Sequence, residues 1–197
     1  QEVEMVRLYD TAFKALGLRG TKLKINHRNI LASVAECIDA KDKLKDLTVT
    51  LDKWDKLGQE GVQQDLIKKG FSKKAIGILF DLLEPKKSFQ EKMDELRQLF
   101  NVKKVDTSGL DELTFVLKEI KTQDLFIELE LDLTLARGLH YYTGMIVEVM
   151  PPKSVKMGSI GGGGRYDNLT QTFGLKDMPG IGISFGFERI FLVLETL

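Results

Sequence analysis

Gly180-Ile181-Gly182-Ile183-Ser184-Phe185-Gly186-Phe187-Glu188-Arg189 alternates large apolar residues with small ones and then meets a charged pair. A period of two is the mark of a strand. Ile181, Ile183, Phe185 and Phe187 share one face and suit a core. Gly182, Ser184 and Gly186 share the other and present almost no side chain, a floor on which a planar ring can lie close to backbone. Glu188 and Arg189 begin a helix, and from its first turn Arg189 leans over that floor, to stack on a base or to grip phosphate. A tight strand–helix junction with an arginine salt bridge gives the same pattern. The dinucleotide fingerprint is excluded, because its third glycine would fall at 185, which is Phe.

Working outward, glycine divides the chain. Eleven of its 18 glycines lie in the 49 residues from Gly138 to Gly186, and the preceding 137 residues hold seven. Such clustering marks backbone that must turn sharply or approach something closely. Gly161-Gly162-Gly163-Gly164 precedes Arg165-Tyr166-Asp167 and reads as a loop; no Gly-Lys-Ser/Thr follows, so it is not a phosphate loop of the Walker kind. Upstream, Ile127, Leu129, Leu131 and Leu133 alternate with Glu128, Glu130, Asp132 and Thr134, a half-buried strand whose carboxylates need water or cations opposite them. A second strand is predicted over 142–150, stopped by Pro151-Pro152, and it places the hydroxyls of Tyr141 and Tyr142 on opposite faces. Arg137-Gly138 stands just before. His140 as a catalytic base is a weak idea, since no Ser or Cys nucleophile sits in a recognisable motif.

The earlier region reads as helices. Val3, Val6, Leu8, Phe13, Leu16 and Leu18 give a first helix ended by Gly17 and Gly20; a strand follows over 22–26 and a helix over 28–39. From 41 to 121 several helices are predicted, the first carrying Leu44, Leu47, Leu51, Trp54 and Leu57 as one stripe, a later one stopped by Pro85. The pairs Lys68-Lys69, Lys73-Lys74, Lys86-Lys87 and Lys103-Lys104 make either a solvated face or a surface for RNA phosphates. The 29 basic and 29 acidic residues cancel, which excludes a chain that coats nucleic acid by charge alone. One cysteine, Cys37, excludes an internal disulfide and points to a reducing, cytoplasmic setting; on an apolar helix face it reads as a small core residue. Charges interrupt every apolar run, so no membrane span is predicted, and two histidines are a poor metal inventory.

Three stretches carry a resemblance. Residues 135–144, Leu-Ala-Arg-Gly-Leu-His-Tyr-Tyr-Thr-Gly, resemble the histidine-specific motif of histidyl-tRNA synthetases, and residues 161–167 resemble that family's Gly-Gly-Arg-Tyr-Asp loop. Residues 180–190 are similar to motif 3 of class II aminoacyl-tRNA synthetases, and Lys24-Ile25-Asn26-His27-Arg28 looks like the strand-to-helix passage before the family's helical insertion. The resemblance implies an α+β fold, a class II antiparallel sheet core with a mainly helical insertion: 1–38 in the catalytic core, 39–122 the insertion reaching toward the tRNA acceptor arm, 123–197 core again. It implies activation of histidine by ATP with Mg2+ and transfer to tRNA(His), in a homodimer, with no metal held by this chain's own residues. Arg137 then matches the arginine on the α-phosphate and carboxylate, and Tyr141 and Tyr142 match the histidine pocket. Arg189 matches the motif 3 arginine on the ATP phosphates, above the nucleotide floor of Gly182, Ser184 and Gly186. His140 departs from the commoner Asp or Asn. Motifs 1 and 2 and an anticodon-binding domain are not found in these 197 residues, so the chain is expected to be the central portion of a longer enzyme, inactive alone. The alternative is the regulatory paralogue that partners ATP phosphoribosyltransferase, a histidine-binding, non-catalytic subunit; Arg137, Arg189 and the long insertion favour the ligase.

Overall fold

A computed structural model of the chain describes residues 1–84, 87–120, 125–138 and 141–197. Pro85 as a helix stop, Lys86, the boundary at 122, Leu139 and His140 lie outside the described residues. Contacts gather the chain into two units, one of Gln1–Ile25, Glu112–Glu130 and Tyr141–Leu197, the other of Asn26–Asp111 and Leu131–His140.

The first unit is built on a five-stranded sheet of order β2-β1-β3-β4-β5, whose strands are β1 (Lys22–His27), β2 (Glu128–Leu131), β3 (Met145–Met150), β4 (Gly161–Arg165) and β5 (Ile181–Phe185). β3, β4 and β5 are antiparallel neighbours, with Gly163 opposite both Val147 and Ile183. Helix α1 (Glu2–Ala15) buries Met5, Val6, Tyr9 and Phe13, the helical spacing expected of it. Tyr9 and Phe13 meet Phe185 of β5 at ring-centroid distances of 5.1 and 5.9 Å, which fixes the helix on the sheet edge. Asp10 accepts the backbone N–H groups of Phe126 and Ile127, tying α1 to the approach of β2. The unit ends in a helical turn (Leu169–Thr172) and a helix after β5 (Phe187–Thr196).

The second unit is helical. Its members are α2 (Arg28–Cys37), a 3-10 turn (Lys41–Lys43), α3 (Leu44–Leu51), α4 (Trp54–Lys68), α5 (Lys73–Leu82), α6 (Phe89–Lys103) and the start of α7 (Ser108–Ile120). Caps explain several starts: His27 Nδ1 accepts from Asn29, Ser72 Oγ from Ala75, and Ser88 with Glu91 forms a reciprocal capping box on α6. Trp54 meets the edge of Phe80 at 5.7 Å between α4 and α5, while Leu47, Leu51, Leu66, Leu79, Leu96 and Phe100 are buried in the core. Cys37 is buried there too, and burial pushes its thiol up to about 11, in keeping with an inert core residue.

Four expectations are corrected. The stripe from Leu44 to Leu57 is not one helix: the chain breaks between α3 and α4 at Asp52-Lys53, and Gly58 takes a φ of 64° inside α4. The strand of 127–134 stops at Leu131, because Asp132 turns the chain by accepting from the Thr134 N–H and hydroxyl. The strand of 142–150 starts three residues late, at Met145. The glycine run is not a loop but strand β4. A Cβ on Gly164 would sit 2.6 Å from the Met145 carbonyl, and one on Gly163 would collide with the Gly182 carbonyl, so the neighbouring backbones demand glycine in a strand that side-chain propensity argues against.

Candidate functional site

All four tyrosines of the chain belong to the first unit and gather about the glycine strands. Tyr9 donates from its hydroxyl to the Gly162 carbonyl at 2.8 Å and lies 3.2 Å from that of Ser184. Burial pushes its pKa up to about 12. Tyr142 lays its ring over Gly164, where a Cβ would come within 2.9 Å of it. Tyr166 lies over β5, where a Cβ on Gly180 or Gly182 would come within 2.6 or 2.7 Å of it. Tyr141 meets Tyr142 at 4.2 Å between centroids. Burial, then the hydrogen bond and charge of Tyr141, push the Tyr142 phenol above its ordinary range.

Since Tyr141 and Tyr142 precede β3 rather than sit in it, strand alternation does not separate them; their rings touch instead. Their approach is braced by a polar network. Thr143 donates to Asp167 at 3.0 Å, and Arg165 pairs with Asp167 at 2.9 Å and with Glu2 on α1. Burial works to raise the Glu2 pKa, but the Arg165 guanidinium, a backbone hydrogen bond and the N-terminal charge together outweigh it and hold the carboxyl below its usual value.

The floor of β5 is partly covered. Tyr166 lies over Gly182, Ser184 Oγ donates to the Gly162 carbonyl at 3.2 Å, and at Gly186 an added Cβ would meet the Ile160 carbonyl at 3.2 Å and the Arg189 side chain at 3.7 Å. Arg189 is exposed, and its guanidinium donates to the Ser159 carbonyl at 2.7 Å, a backbone partner in place of the carboxylate considered above. Phe187, expected in the core, is 82% exposed because it opens the last helix instead of continuing β5.

Arg137 lies in the second unit, in a loop with three anchors. Asn26 donates from its buried amide to the Leu135 carbonyl at 2.9 Å, buried Lys92 donates to the Leu131 carbonyl at 3.1 Å, and Asp132 makes the turn. Gly138 follows with a φ of 68°, a left-handed conformation that a β-carbon disfavours. Arg137 Nε donates to Asp52 at 2.8 Å, on the wall of a cleft of about 750 Å³ lined also by Arg28, Lys45, Thr48 and Lys53. Glu130 meets Lys22 across the sheet, one of the cations that strand face required. Asp52, Glu2 and Tyr9 were not singled out from the sequence, and Asn26 and Tyr166 had a signal only through their places in the quoted stretches 24–28 and 161–167. Of the lysine pairs, Lys69 bonds Thr50 and Asp65 and Lys87 bonds Glu95, so each has intrachain work. Among the described residues no group of three His, Cys, Asp or Glu is placed to hold a metal, and no helix is long and apolar enough to cross a membrane.

A five-stranded sheet whose strands β3, β4 and β5 run antiparallel, the last of them glycine-floored and passing straight into an arginine-bearing helix, with a helical segment inserted in the chain, is the arrangement of a class II aminoacyl-tRNA synthetase core. Within that class the family profile of histidyl-tRNA synthetase matches residues 1–190. The chain belongs to the histidyl-tRNA synthetase family. It is 52% identical over its whole length to a histidine–tRNA ligase of Christiangramia forsetii and 44% identical to that of Porphyromonas gingivalis, in each case spanning 43% of the relative's length. Among solved structures it matches the histidyl-tRNA synthetase of Nostoc sp. PCC 7120 with a TM-score of 0.89 and 27% identity, covering all of this chain and 47% of that one. A Bacillus halodurans protein described as an ATP phosphoribosyltransferase regulatory subunit/histidyl-tRNA synthetase shares the fold, with a TM-score of 0.77 at 23% identity over all of this chain and 49% of the other.

Proposed function

We propose that this chain carries part of the catalytic centre of a histidine–tRNA ligase, in which the histidine carboxylate attacks the α-phosphate of ATP to give histidyl-adenylate and pyrophosphate, and the histidyl group then passes to tRNA(His) with release of AMP. One observation carries the reading: tyrosine rings laid directly on the glycines of β4 and β5. Such a wall suits a neutral, flat, hydrogen-bonding side chain, and imidazole is one. Tyr141 and Tyr142 line the histidine pocket in this reading, and Tyr166 joins them.

Attack of a carboxylate on the α-phosphate builds charge on phosphoryl oxygens, which fixed cations stabilise without a general base. Arg137 takes that role beside the histidine carboxylate. Arg189, exposed beside Gly186, holds ATP phosphate, and Ser184 and Gly186 give the nucleotide the part of the floor that Tyr166 does not cover. Mg2+ would arrive on the ATP phosphates and neutralise their charge; the described residues offer it no carboxylate cluster, so this chain contributes its arginines. The dimer, the cytoplasmic setting and the tRNA-facing role of segment 39–122 belong to the same proposal.

The test is histidine-dependent ATP–pyrophosphate exchange by a protein that carries these residues at the full length of the relatives. Exchange with histidine and not with other amino acids is expected. Histidine binding with no exchange would favour the regulatory, non-catalytic reading instead.

A further inference from the structure

The segment that follows β2 is irregular backbone, yet Asp132, Leu133, Leu135 and Ala136 in it are buried. Buried carbonyls outside a helix or a strand ladder need donors from elsewhere. Side chains bring two. Lys92 of α6 reaches the Leu131 carbonyl, where β2 ends, and Asn26 near the end of β1 reaches the Leu135 carbonyl at 2.9 Å. Asn26 is wholly buried and both ends of its amide are engaged. Nδ2 donates to Leu135, while Oδ1 accepts the backbone N–H of His27 at 2.8 Å. One side chain thus ties the junction of β1 and α2 to a loop 109 residues further along the chain. Arg137 stands two residues beyond Leu135, and Gly138 then takes a φ of 68°. The arginine is therefore carried between an anchored carbonyl and a left-handed turn.

We infer that Asn26 is a positioning residue for the activation step, its amide setting the backbone from which Arg137 projects. The inference rests on the role proposed above for Arg137 and deepens it. Its effect is exerted on the backbone of residues 135–137 and is indifferent to the partners of the guanidinium.

The residue type fits the task. The place calls for a donor toward Leu135 and an acceptor toward His27 on one short, uncharged side chain, and asparagine supplies both. An ionised Asp would offer acceptors only, and Ser lacks the reach. A buried carbonyl that loses its donor is costly and turns to find another. Two peptide units carry that turn from Leu135 to Arg137. A displacement of about 1 Å in a group that aligns reactants costs up to about 100-fold in rate. If the bond served only to satisfy the carbonyl, its loss would lower stability and leave turnover per folded molecule unchanged.

The experiment uses the protein at the full length of the relatives. Single-turnover histidyl-adenylate formation per folded molecule, substrate KM and melting temperature are measured across a range of pH. Asn26→Asp keeps the shape and the acceptor but turns a carboxylate oxygen onto the Leu135 carbonyl. At neutral pH its rate is expected to fall roughly 10- to 100-fold with little change in KM. Protonation gives back a donor of the same shape, and burial favours the protonated form, so the rate relative to the unchanged protein should climb as pH falls. Asn26→Ser adds no charge and keeps the test open if the first variant does not fold at neutral pH. It should lose rate by a similar factor, with a ratio that stays level across pH; this level ratio separates the rescue from titration of nearby His27 and Asp132. In the Arg137→Lys background Asn26→Ser should cost little further. Normal rates for the Asn26 variants beside a defective Arg137→Lys overturn the positioning role and leave that of Arg137 standing. An Asn26→Asp ratio that fails to rise in acid overturns it as well, and so do equal losses from Asn26→Ser in both backgrounds. A normal rate for Arg137→Lys removes the activation role itself and this inference with it.

Discussion

Gly163 and Gly77 are the same residue in two physical settings. Gly163 lies buried in β4, where a Cβ would strike the carbonyl of Gly182. Gly77 lies exposed in α5, where a Cβ would meet nothing within 4 Å. In the sheet unit glycine is required because two backbones and several tyrosine rings claim the same volume. In the helical unit it is surplus and weakens its helix slightly. The contrast extends to the polar groups. The sheet unit offers neutral phenols lying on backbone, a surface for recognising a ring. The helical unit offers Arg137 among other cations in a cleft, a surface for meeting negative charge. In the proposed ligase the first should govern affinity for histidine and the second the rate of its activation.

That division breaks most visibly at Arg137. Arg137→Lys keeps a charge but loses the planar fork, and a lost preorganised donor costs on the order of 100- to 1,000-fold in rate. Single-turnover adenylate formation is expected to fall by that factor in the full-length protein while substrate KM values move much less. A variant that melts early yet forms adenylate normally would assign Arg137 to structure alone. Next in size, Gly163→Ala should destabilise the protein by about 3 kcal/mol, since the obstructing atom is backbone, and lower the melting temperature by roughly 6–12 °C. An unchanged melting temperature would mean that β4 and β5 do not approach as described. Tyr142→Phe should then weaken histidine binding by about 1–3 kcal/mol, or roughly 5- to 150-fold, by removing a partner of a buried polar group. Equilibrium titrations of histidine and of ATP should show the loss in the first only; a loss confined to ATP would move Tyr142 to the other substrate. The smallest effect has the opposite sign. Gly77→Ala should raise stability by about 0.5–1 kcal/mol, readable as a shifted denaturant midpoint, and a loss there would show an unseen constraint on α5.

The helices and their order were legible because apolar residues recur at a helical period, as Val6 and Phe13 do on the buried side of α1, although Leu8 and Leu16 of the same expected stripe are exposed and Met5 and Tyr9 complete the buried face. The last strand was legible from its period of two, although Phe185 and Phe187, expected on a core face, are both exposed. β4 was not, because four glycines carry no pattern of side chains, and what makes them a strand is the presence of β3 and β5 on either side. The break at Asp52 was hidden by the opposite fault: the apolar stripe continues through it, so periodicity reports a helix that the backbone leaves. At the site, Arg137, Tyr141, Tyr142 and Arg189 stood out as residue types in motifs. Their company did not. That Asp52 meets Arg137 across 85 residues, or that Tyr166 covers Gly182, is a fact of tertiary contact to which local spacing is blind.

Tyr9 joins the two halves of this contrast in time rather than in space. Its hydroxyl reaches carbonyls 153 and 175 residues away, on β4 and β5, and β4, four glycines and an arginine, has no apolar side chain with which to start a cluster. Closing so long a span costs chain entropy before any contact repays it, whereas α3 to α6 form from near neighbours in sequence. Refolding should therefore be stepwise. Under pulsed hydrogen exchange the amides of α3 to α6 gain protection early and those of β4 last, so the surface for the ring is the final part of the chain to exist.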